Sequence, residues 1–258
     1  MSGLLWKLKR LRLMSATEIL FRLSRAVGLR FEQLRIARGW QPRPVGDVTA
    51  RTCLFDTSHP ILDEWTRHFD LDRSGLESYL AGRVGFFGHE PLFVGMPVEW
   101  HRDPVTEIVA PEVFGKSLNY RDDAIVGNVK FLWELGRHQH LVPLAVAYAI
   151  TGEHRYRDNV VGQIEGWLDD SPYGIGIHWC SALEAALRMI SWSLVHSLLA
   201  LRDGEQGLFL AVKDSERFGL SIFQHCYFIR HFLSRYSSAN NHLIGELTGL
   251  WVATQVFD

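Results

Sequence analysis

Residues 139–168 read QHLVPLAVAYAITGEHRYRDNVVGQIEGWL, and this stretch decides the fold class. Its first part is apolar at helical spacing, for example at Leu141, Leu144 and Tyr148, and Gly152 is typical of a helix stop. A second helix is predicted over 154–168, and the turn at 171–174 ends it. The short polar joint between the two helices predicts an antiparallel pair.

The same pattern extends on both sides of this pair. Helices are also predicted over 122–136, 181–201 and 205–231, and a last one begins in the Asn-Asn-His run at 240–242. Lengths of about 12 to 25 residues with short joints predict a mainly all-α domain of stacked antiparallel helices. An open solenoid and an (α/α) toroid both fit, although the absence of a fixed repeat length disfavours the solenoid.

The part of the chain ahead of these helices is less regular. Residues 59–118 begin with a predicted helix over 60–69 and continue as a loop-rich segment, with possible short strands near Phe86 and Phe93. We therefore expect a basic helical arm and connector over 1–58, and a helical domain over 59–258.

Composition excludes several classes of protein. With 47% hydrophobic and 22% charged residues and a net charge of −2, the chain resembles an ordinary globular protein, and nothing global indicates nucleic acid as a partner. Three widely spaced cysteines suggest neither a disulfide framework nor a zinc site. No apolar stretch approaches the roughly 20 residues of a transmembrane segment.

The first 39 residues are rich in arginine and leucine. Lys7, Lys9 and Arg10 interrupt the apolar residues, so this segment does not resemble a secretory signal. Leu20, Leu23, Val27 and Leu34 mark one side of a predicted helix, and Arg22, Arg25, Arg30 and Arg35 lie elsewhere. Contact with a membrane surface or an acidic polymer is one interpretation, and a docked helix with a solvated basic face is the other.

The run SSANNHLIGE at 237–246 is the strongest functional signal. Ser237 or Ser238 is a suitable N-cap, which places Asn241 and His242 in the first turn of a helix. Gly245 and Gly249 form part of a small, polar face that could lie against a cleft or a neighbouring helix. The alternative is that the asparagines only cap the helix and that His242 is an ordinary surface residue.

Two further polar clusters interrupt the helical region. The first, WELGRHQH at 133–140, carries Arg137, His138 and Gln139, and the glycine predicts a helix end near Gly136. These side chains could bind a polar ligand at a helix junction. An Arg–Glu pair that joins two helices is the structural alternative.

The second cluster, GIHWCSALEAALR, spans 176–188 and contains His178 and Trp179. Ser181 and Glu184 match a capping box, so a helix should begin here. The indole of Trp179 would then lie in the loop just before this helix. No phosphate-binding loop, G-x-S-x-G motif or zinc spacing is present, and no metal or cofactor is predicted.

Taken in order, these clusters resemble the heparinase II/III family of polysaccharide lyases. Four segments across roughly residues 98–258 carry the resemblance: 98–104, 128–141, 179–188 and 238–249. Gly136 stands where the family pattern usually has Asn, and Asn128 where it often has Asp.

The resemblance implies an N-terminal (α/α) toroid that is incomplete in this chain. In complete members of the family a β-sandwich domain follows the toroid, and this domain is expected to be absent from this chain. The resemblance also implies β-elimination of a uronic-acid-containing polysaccharide, with an acidic polysaccharide as partner and no cofactor. The sequence leaves open whether the chain is a fragment or a truncated relative, and it leaves the oligomeric state open as well. Two alternative functions remain: a catalytically inactive carbohydrate-binding toroid and a helical-repeat interaction scaffold. The family resemblance implies the periplasm or cell envelope, whereas the first residues do not resemble an export signal.

By the same resemblance, Asn241 is the expected carboxylate-neutralising amide, with His242 beside it. The remaining predicted substrate contacts are Asn240, Arg137, His138, Gln139, His178, Trp179 and Glu246. The catalytic base and acid are expected beyond residue 258.

Overall fold

The computed structural model describes residues 14–55, 64, 67 and 70–258, and this part of the chain is mainly helical. Ten α-helices are present in it: α1 Ala16–Ala37, α2 Arg73–Leu80, α3 Asp123–Val126, α4 Val129–Gly136, α5 Leu141–Thr151, α6 His154–Asp170, α7 Ala182–Asp203, α8 Gly207–Ala211, α9 Ser215–His231 and α10 Asn241–Val256. Two short strands, β1 Arg83–Val84 and β2 Leu92–Phe93, pair antiparallel. The mainly α prediction is confirmed, while the helix predicted over 60–69 lies mostly outside the described residues.

Most predicted helices are present, but two are divided. The helix predicted over 122–136 breaks at Gly127, where the carboxylate of Asp103 accepts a hydrogen bond from the Asn128 amide at 2.7 Å. The helix predicted over 205–231 becomes α8 and α9, because Asp214 caps a new start through the Arg217 amide at 2.9 Å. Gly152 adopts φ +73° and ends α5 as expected.

The longer helices form two layers. Contacts from Gly136 to Arg188, from His138 to Trp192 and from Ala149 to Arg202 advance in the same direction, so α5 and α7 run parallel. α6 is antiparallel to α5, since His140 meets Gln163 and Tyr148 meets His154. With α9 antiparallel to α7, the helices alternate as in an incomplete (α/α) toroid.

α10 completes the parallel layer by a very close approach to α7. A Cβ added to Gly249 would overlap Ala186, and one added to Gly245 would overlap a methyl group of Leu183. The small face of α10 is therefore a helix-packing face. Its apolar residues Ile244, Leu247 and Trp251 are exposed instead.

The arm helix α1 contacts the body with basic as well as apolar side chains. Five of its apolar residues are exposed, Leu20, Leu23, Val27, Phe31 and Leu34, whereas Leu29 and Ile36 pack against the core. Two of its arginines turn to the body, where Arg25 lies over the ring of Phe232 and Arg35 over that of Trp40. Cation–π and polar contacts thus hold the arm together with these two apolar side chains, so the basic face is not wholly solvated, contrary to the interpretation of a docked helix with a solvated basic face.

Among the described residues no helix has both the length and the hydrophobicity needed to cross a bilayer. The division of the chain at residue 58 stays a prediction, since it falls among residues that the structure does not describe. The connector that follows α1 does reach the far end of the body. There the Arg51 amide donates to the Val256 carbonyl at 2.8 Å, and Ala50 bridges to Phe257.

Candidate functional site

The three sequence clusters lie at the same end of the parallel layer. The first precedes α5, the second precedes α7 and the third opens α10. Because these helices run in one direction and adjoin one another, their starts lie side by side. The structure therefore gathers the three clusters, which are about 50 residues apart along the chain.

An ion pair joins the first two clusters. Nε of Arg137 lies 2.7 Å from Oε2 of Glu184, and Arg137 also contacts Glu134 on its own helix. The Glu184 side chain is 4% exposed, whereas that of Arg137 is 24% exposed. This is the structural Arg–Glu pair weighed as an alternative to ligand binding, and it leaves part of the guanidinium at the surface.

Glu184 has no capping role. Ser181 precedes α7 but its hydroxyl makes no capping hydrogen bond, so the predicted capping box is wrong. The carboxylate is drawn to Arg137, because an ion pair with a guanidinium is stronger than a hydrogen bond to a backbone amide.

A buried group of imidazoles and a guanidinium lies beneath this pair. Arg188 is fully buried, its Cζ lies 3.9 Å above the ring of Trp167, and its Nη1 donates to Nε2 of His225 at 2.8 Å. Its Nε donates to the carbonyl oxygen of Gly136 at the end of α4. The guanidinium thus ties α7 to α4 and α9, and burial lowers its pKa to about 9.

Hydrogen bonds hold each of these imidazoles in one neutral form. Nδ1 of His138 accepts from the Trp192 indole at 2.7 Å, and Nε2 of His178 donates to the Trp100 carbonyl at 2.7 Å. His225 accepts from Arg188 and donates from Nδ1 to the Ser221 carbonyl. Burial, reinforced by the charge of Arg188, holds the pKa of all three well below the usual value.

His138, His178 and Trp179 do not reach the surface where they were expected to line a cleft. The two imidazoles are 0% exposed and the indole is 1% exposed. Trp179 ends the 3₁₀ turn Ile177–Trp179, which turns its ring inward against Tyr173, Phe228 and His225. In this structure the three side chains support the site from below, and a polysaccharide cannot contact them.

The third cluster is exposed. Asn240, Asn241 and His242 all lie at the surface. Asn240 is the N-cap of α10, since its Oδ1 accepts from the His242 amide at 2.9 Å, which corrects the expected cap at Ser237 or Ser238. Ser237 contacts the arm instead, bonding to Glu18 at 2.7 Å and accepting from Arg22 at 2.9 Å.

Glu246 holds the loop that leads into α10. Its side chain accepts from the amide of Ser234 at 2.7 Å and from the hydroxyl at 2.8 Å, and the residue is 2% exposed. Glu246 therefore fixes the path of residues 234–240 from below, and its expected contact with substrate is not supported by this position.

The groups that a ligand can reach at this end are the amides of Asn240, Asn241 and Gln139, the His242 imidazole and the partly exposed Arg137 guanidinium. Together they offer hydrogen-bond donors and one fixed positive charge on an open surface. Five cavities of 310 to 510 Å³ are lined by other residues. Within the described ranges, no three His, Cys, Asp or Glu side chains are grouped to hold a metal ion.

Several residues that shape this end were absent from the sequence prediction. Arg188 lies in the second cluster but was not among the predicted substrate contacts, and His225 was not singled out at all. Lys116 and Arg25 lie beside the loop before α10, near Phe232. Arg25 comes from the arm and Lys116 from the loop-rich segment, so no local spacing connects them with the site.

Comparison with known proteins adds two findings. A family model described as Heparinase II/III N-terminus matches residues 72–258. The solved structure of heparan sulfate lyase HepC from Pedobacter heparinus aligns with 20% identity and a TM-score of 0.49, over 74% of this chain and 25% of that chain. The chain thus spans about a quarter of the length of that lyase. No curated protein sequence matched.

Proposed function

Because this chain belongs to the Heparinase II/III N-terminus family, we propose that it takes part in cleaving a uronic-acid-containing polysaccharide by β-elimination. The family match over residues 72–258 is the observation that carries this proposal. The exposed amide and imidazole at the start of α10 support it, because β-elimination needs such groups.

The chemistry explains why an amide is needed. The C5 proton of a uronate is weakly acidic while the adjacent carboxylate is charged. Hydrogen-bond donors aimed at this carboxylate stabilise the enolate-like intermediate that forms when a base removes the proton. An acid then protonates the departing O4 oxygen.

In this proposal Asn241 neutralises the carboxylate and His242 acts beside it. The Asn241 side chain makes no hydrogen bond within the described structure, so both donors of its amide are free for a ligand. Asn240, Arg137 and Gln139 would contact neighbouring sugar units along the same end of the helices.

Two other functions are distinguished by experiment. A carbohydrate-binding toroid without activity would bind acidic polysaccharide and leave it intact. A helical-repeat scaffold would bind neither carboxylated nor sulfated polysaccharide. The gathering of the three clusters at one end favours the first two functions over the scaffold.

The test is to incubate the protein with a panel of uronate polysaccharides and follow the absorbance of the new C4=C5 double bond. Both the 258-residue chain and the full product of its gene should be assayed. We expect Asn241→Ala to abolish product formation while the circular dichroism spectrum and unfolding midpoint stay unchanged.

The matched control is Gln255→Ala, which removes an exposed amide from the other end of α10. It should leave activity intact. If Asn241→Ala retains parental turnover, the role assigned to Asn241 is wrong. If neither form of the parent produces the double bond while binding polysaccharide, the lyase proposal is wrong and the binding toroid replaces it.

A further inference from the structure

Two cations converge on one buried ring beside the loop that leads into α10. Cζ of Arg25 lies 4.2 Å from the centroid of Phe232, and Nζ of Lys116 lies 5.0 Å from the same centroid. Arg25 comes from the middle of the arm helix α1, and Lys116 from the 3₁₀ turn Gly115–Ser117. Phe232 follows α9 directly.

Neither cation has an acidic partner. Within the described ranges no carboxylate lies within 4 Å of either group, although Arg22 on the same helix pairs with Glu18 at 2.9 Å. The Lys116 ammonium donates one hydrogen bond to the Cys180 carbonyl at 2.7 Å, which leaves two donors. The Arg25 guanidinium makes no hydrogen bond to any described residue.

The carboxylates that attract these cations, Glu32 for Arg25 and Glu246 for Lys116, are engaged elsewhere. Glu246 accepts both hydrogen bonds from Ser234, and Glu32 accepts one from the Tyr173 hydroxyl at 3.2 Å. They act on the cations only at longer range. Burial outweighs this attraction, lowering the pKa of Lys116 to about 8 and lowering that of Arg25 as well.

Two partly desolvated cations without a counter-ion are unfavourable, and an oxyanion between them would supply the missing acceptors. The location suits a ligand of the α10 surface. The arm reaches the loop just ahead of Asn240, where Phe21 and Tyr236 pack with ring centroids 5.2 Å apart and Arg22 donates to Ser237.

We propose that Arg25 and Lys116 form a binding site for an oxyanion of an acidic polysaccharide, a carboxylate or a sulfate, beside the start of α10. This inference rests on the proposed function and deepens it by adding the arm helix to the substrate-binding surface. The planar guanidinium suits two-point binding of such a group, and the ammonium supplies a second charge.

The test measures binding independently of cleavage. Dissociation constants are determined by calorimetry for the parent, Arg25→Gln, Lys116→Gln and the double variant. One ligand is a hyaluronan oligosaccharide, which carries only carboxylates, and the other is a heparin oligosaccharide, which also carries sulfates. A weakening confined to heparin identifies sulfate as the bound group, and a weakening with both identifies carboxylate.

We expect each single variant to bind about tenfold more weakly, the usual effect of losing one charged hydrogen bond. Because both side chains act on one anion, the double variant should lose less than the product of the two factors. Arg30→Gln is the matched control, since this exposed arginine of the same helix donates a hydrogen bond to Gln33 on the arm itself. It should bind as the parent does.

A readout without ligand separates this role from a structural one. Lys116→Gln removes a buried charge that has no ion-pair partner among the described residues and keeps a donor for the Cys180 carbonyl, so this variant should unfold at the parental temperature or above. A variant that binds weakly only because it is partly unfolded would show a lower midpoint, and that result contradicts the site.

The two proposals fail differently. Unchanged affinity in both single variants, or an equal loss in Arg30→Gln, overturns the oxyanion site even if the parent cleaves polysaccharide. Binding that depends on both cations, with no unsaturated product from either the 258-residue chain or the full gene product, supports the oxyanion site and contradicts the lyase. A parent that binds neither oligosaccharide overturns both.

Discussion

His178 and His242 both come from clusters that resemble a substrate site, yet the structure treats them in opposite ways. His178 is 0% exposed and donates to the Trp100 carbonyl, whereas His242 lies at the surface in the first turn of α10. Both clusters lie at the start of a helix of the parallel layer. The difference shows that a sequence motif can contain residues that support a site from the core, such as His178, as well as residues that a ligand can reach, such as His242.

The outer layer explains this difference. The ends of α6 and α9 cover the starts of α5 and α7. Trp167 of α6 packs against His178, and Phe228 of α9 packs against Trp179. The start of α10 has no such cover from the described residues, and Ile244 and Trp251 on its outer side are exposed. The following predictions test this contrast between a buried and an exposed end.

The largest expected effect is acid sensitivity from the buried imidazoles. Burial lowers the pKa of five of them: His138, His140, His178, His196 and His225. Below pH 6.5 the unfolded chain binds protons that the native state does not, so stability falls as pH falls. At pH 5 each imidazole that stays neutral in the native state lowers the free energy of unfolding by about 2 kcal/mol.

Urea unfolding at pH 7, 6 and 5 measures this loss. We expect the midpoint to collapse between pH 6 and 5, and His242→Gln to leave that dependence unchanged because His242 is exposed. Equal midpoints at pH 7 and 5 would show that the imidazoles are not buried in the neutral form.

The next effect concerns Arg188. Arg188→Ala opens a cavity above Trp167 and leaves the Gly136 carbonyl and His225 without their donor, so the free energy of unfolding should fall by about 3 kcal/mol. Denaturant unfolding checks this value. Arg188→Met keeps most of the side-chain volume, so its free energy of unfolding should fall by less. Equal falls in the two variants would assign the whole effect to the hydrogen bonds. A fall below about 1 kcal/mol in Arg188→Ala would contradict the packing role.

Glycine substitutions compare the buried start of the parallel layer, at Gly136, with its exposed start, at Gly245. A Cβ at Gly136 would overlap the ring of His178, while one at Gly245 would meet only a terminal methyl group of Leu183. We expect Gly136→Ala to cost about 2 kcal/mol and Gly245→Ala clearly less, because a leucine methyl group moves easily.

Thermal and urea unfolding of both variants measure the difference. In a His178→Ala background the cost of Gly136→Ala should shrink, since the overlapping ring is gone. The same cost in both backgrounds would mean that the ring is not the obstacle.

The smallest effect separates two adjacent asparagines. Asn240→Ala removes the cap of α10 and should cost about 1 kcal/mol, whereas Asn241→Ala should change stability by less than about 0.5 kcal/mol. Urea midpoints of the two variants test this order. The reverse order would move the cap to Asn241 and weaken its proposed role as a free amide.

Local spacing predicted much of the fold. The stop at Gly152 and the start of α6 followed from turn chemistry and apolar periodicity, which act between near neighbours. The break at Gly127 could not be predicted in this way, because its cause is the Asp103 carboxylate, 25 residues away in sequence. The orientation of α1 was also missed, since its amphipathic pattern does not show that the arginines face the body.

The roles of the candidate site residues stay predictions. The family resemblance indicated Asn241 and His242, and the structure places both at the surface. Burial of His138, His178 and Trp179 depends on which helices cover them, and that information is tertiary. Arg25 and Lys116 meet only because α1 and the 3₁₀ turn pack around Phe232, so no motif could have paired them.

The contact between Gly136 and His178 has a consequence for how this protein can vary. The imidazole occupies the space into which a side chain at position 136 would extend, so the two positions cannot enlarge independently. Gly136 stands where the family pattern usually has asparagine, and the ring of His178 leaves no room here for that larger side chain. In relatives that carry asparagine there, we expect a smaller or differently turned residue opposite, so that the two sites are inherited as a pair.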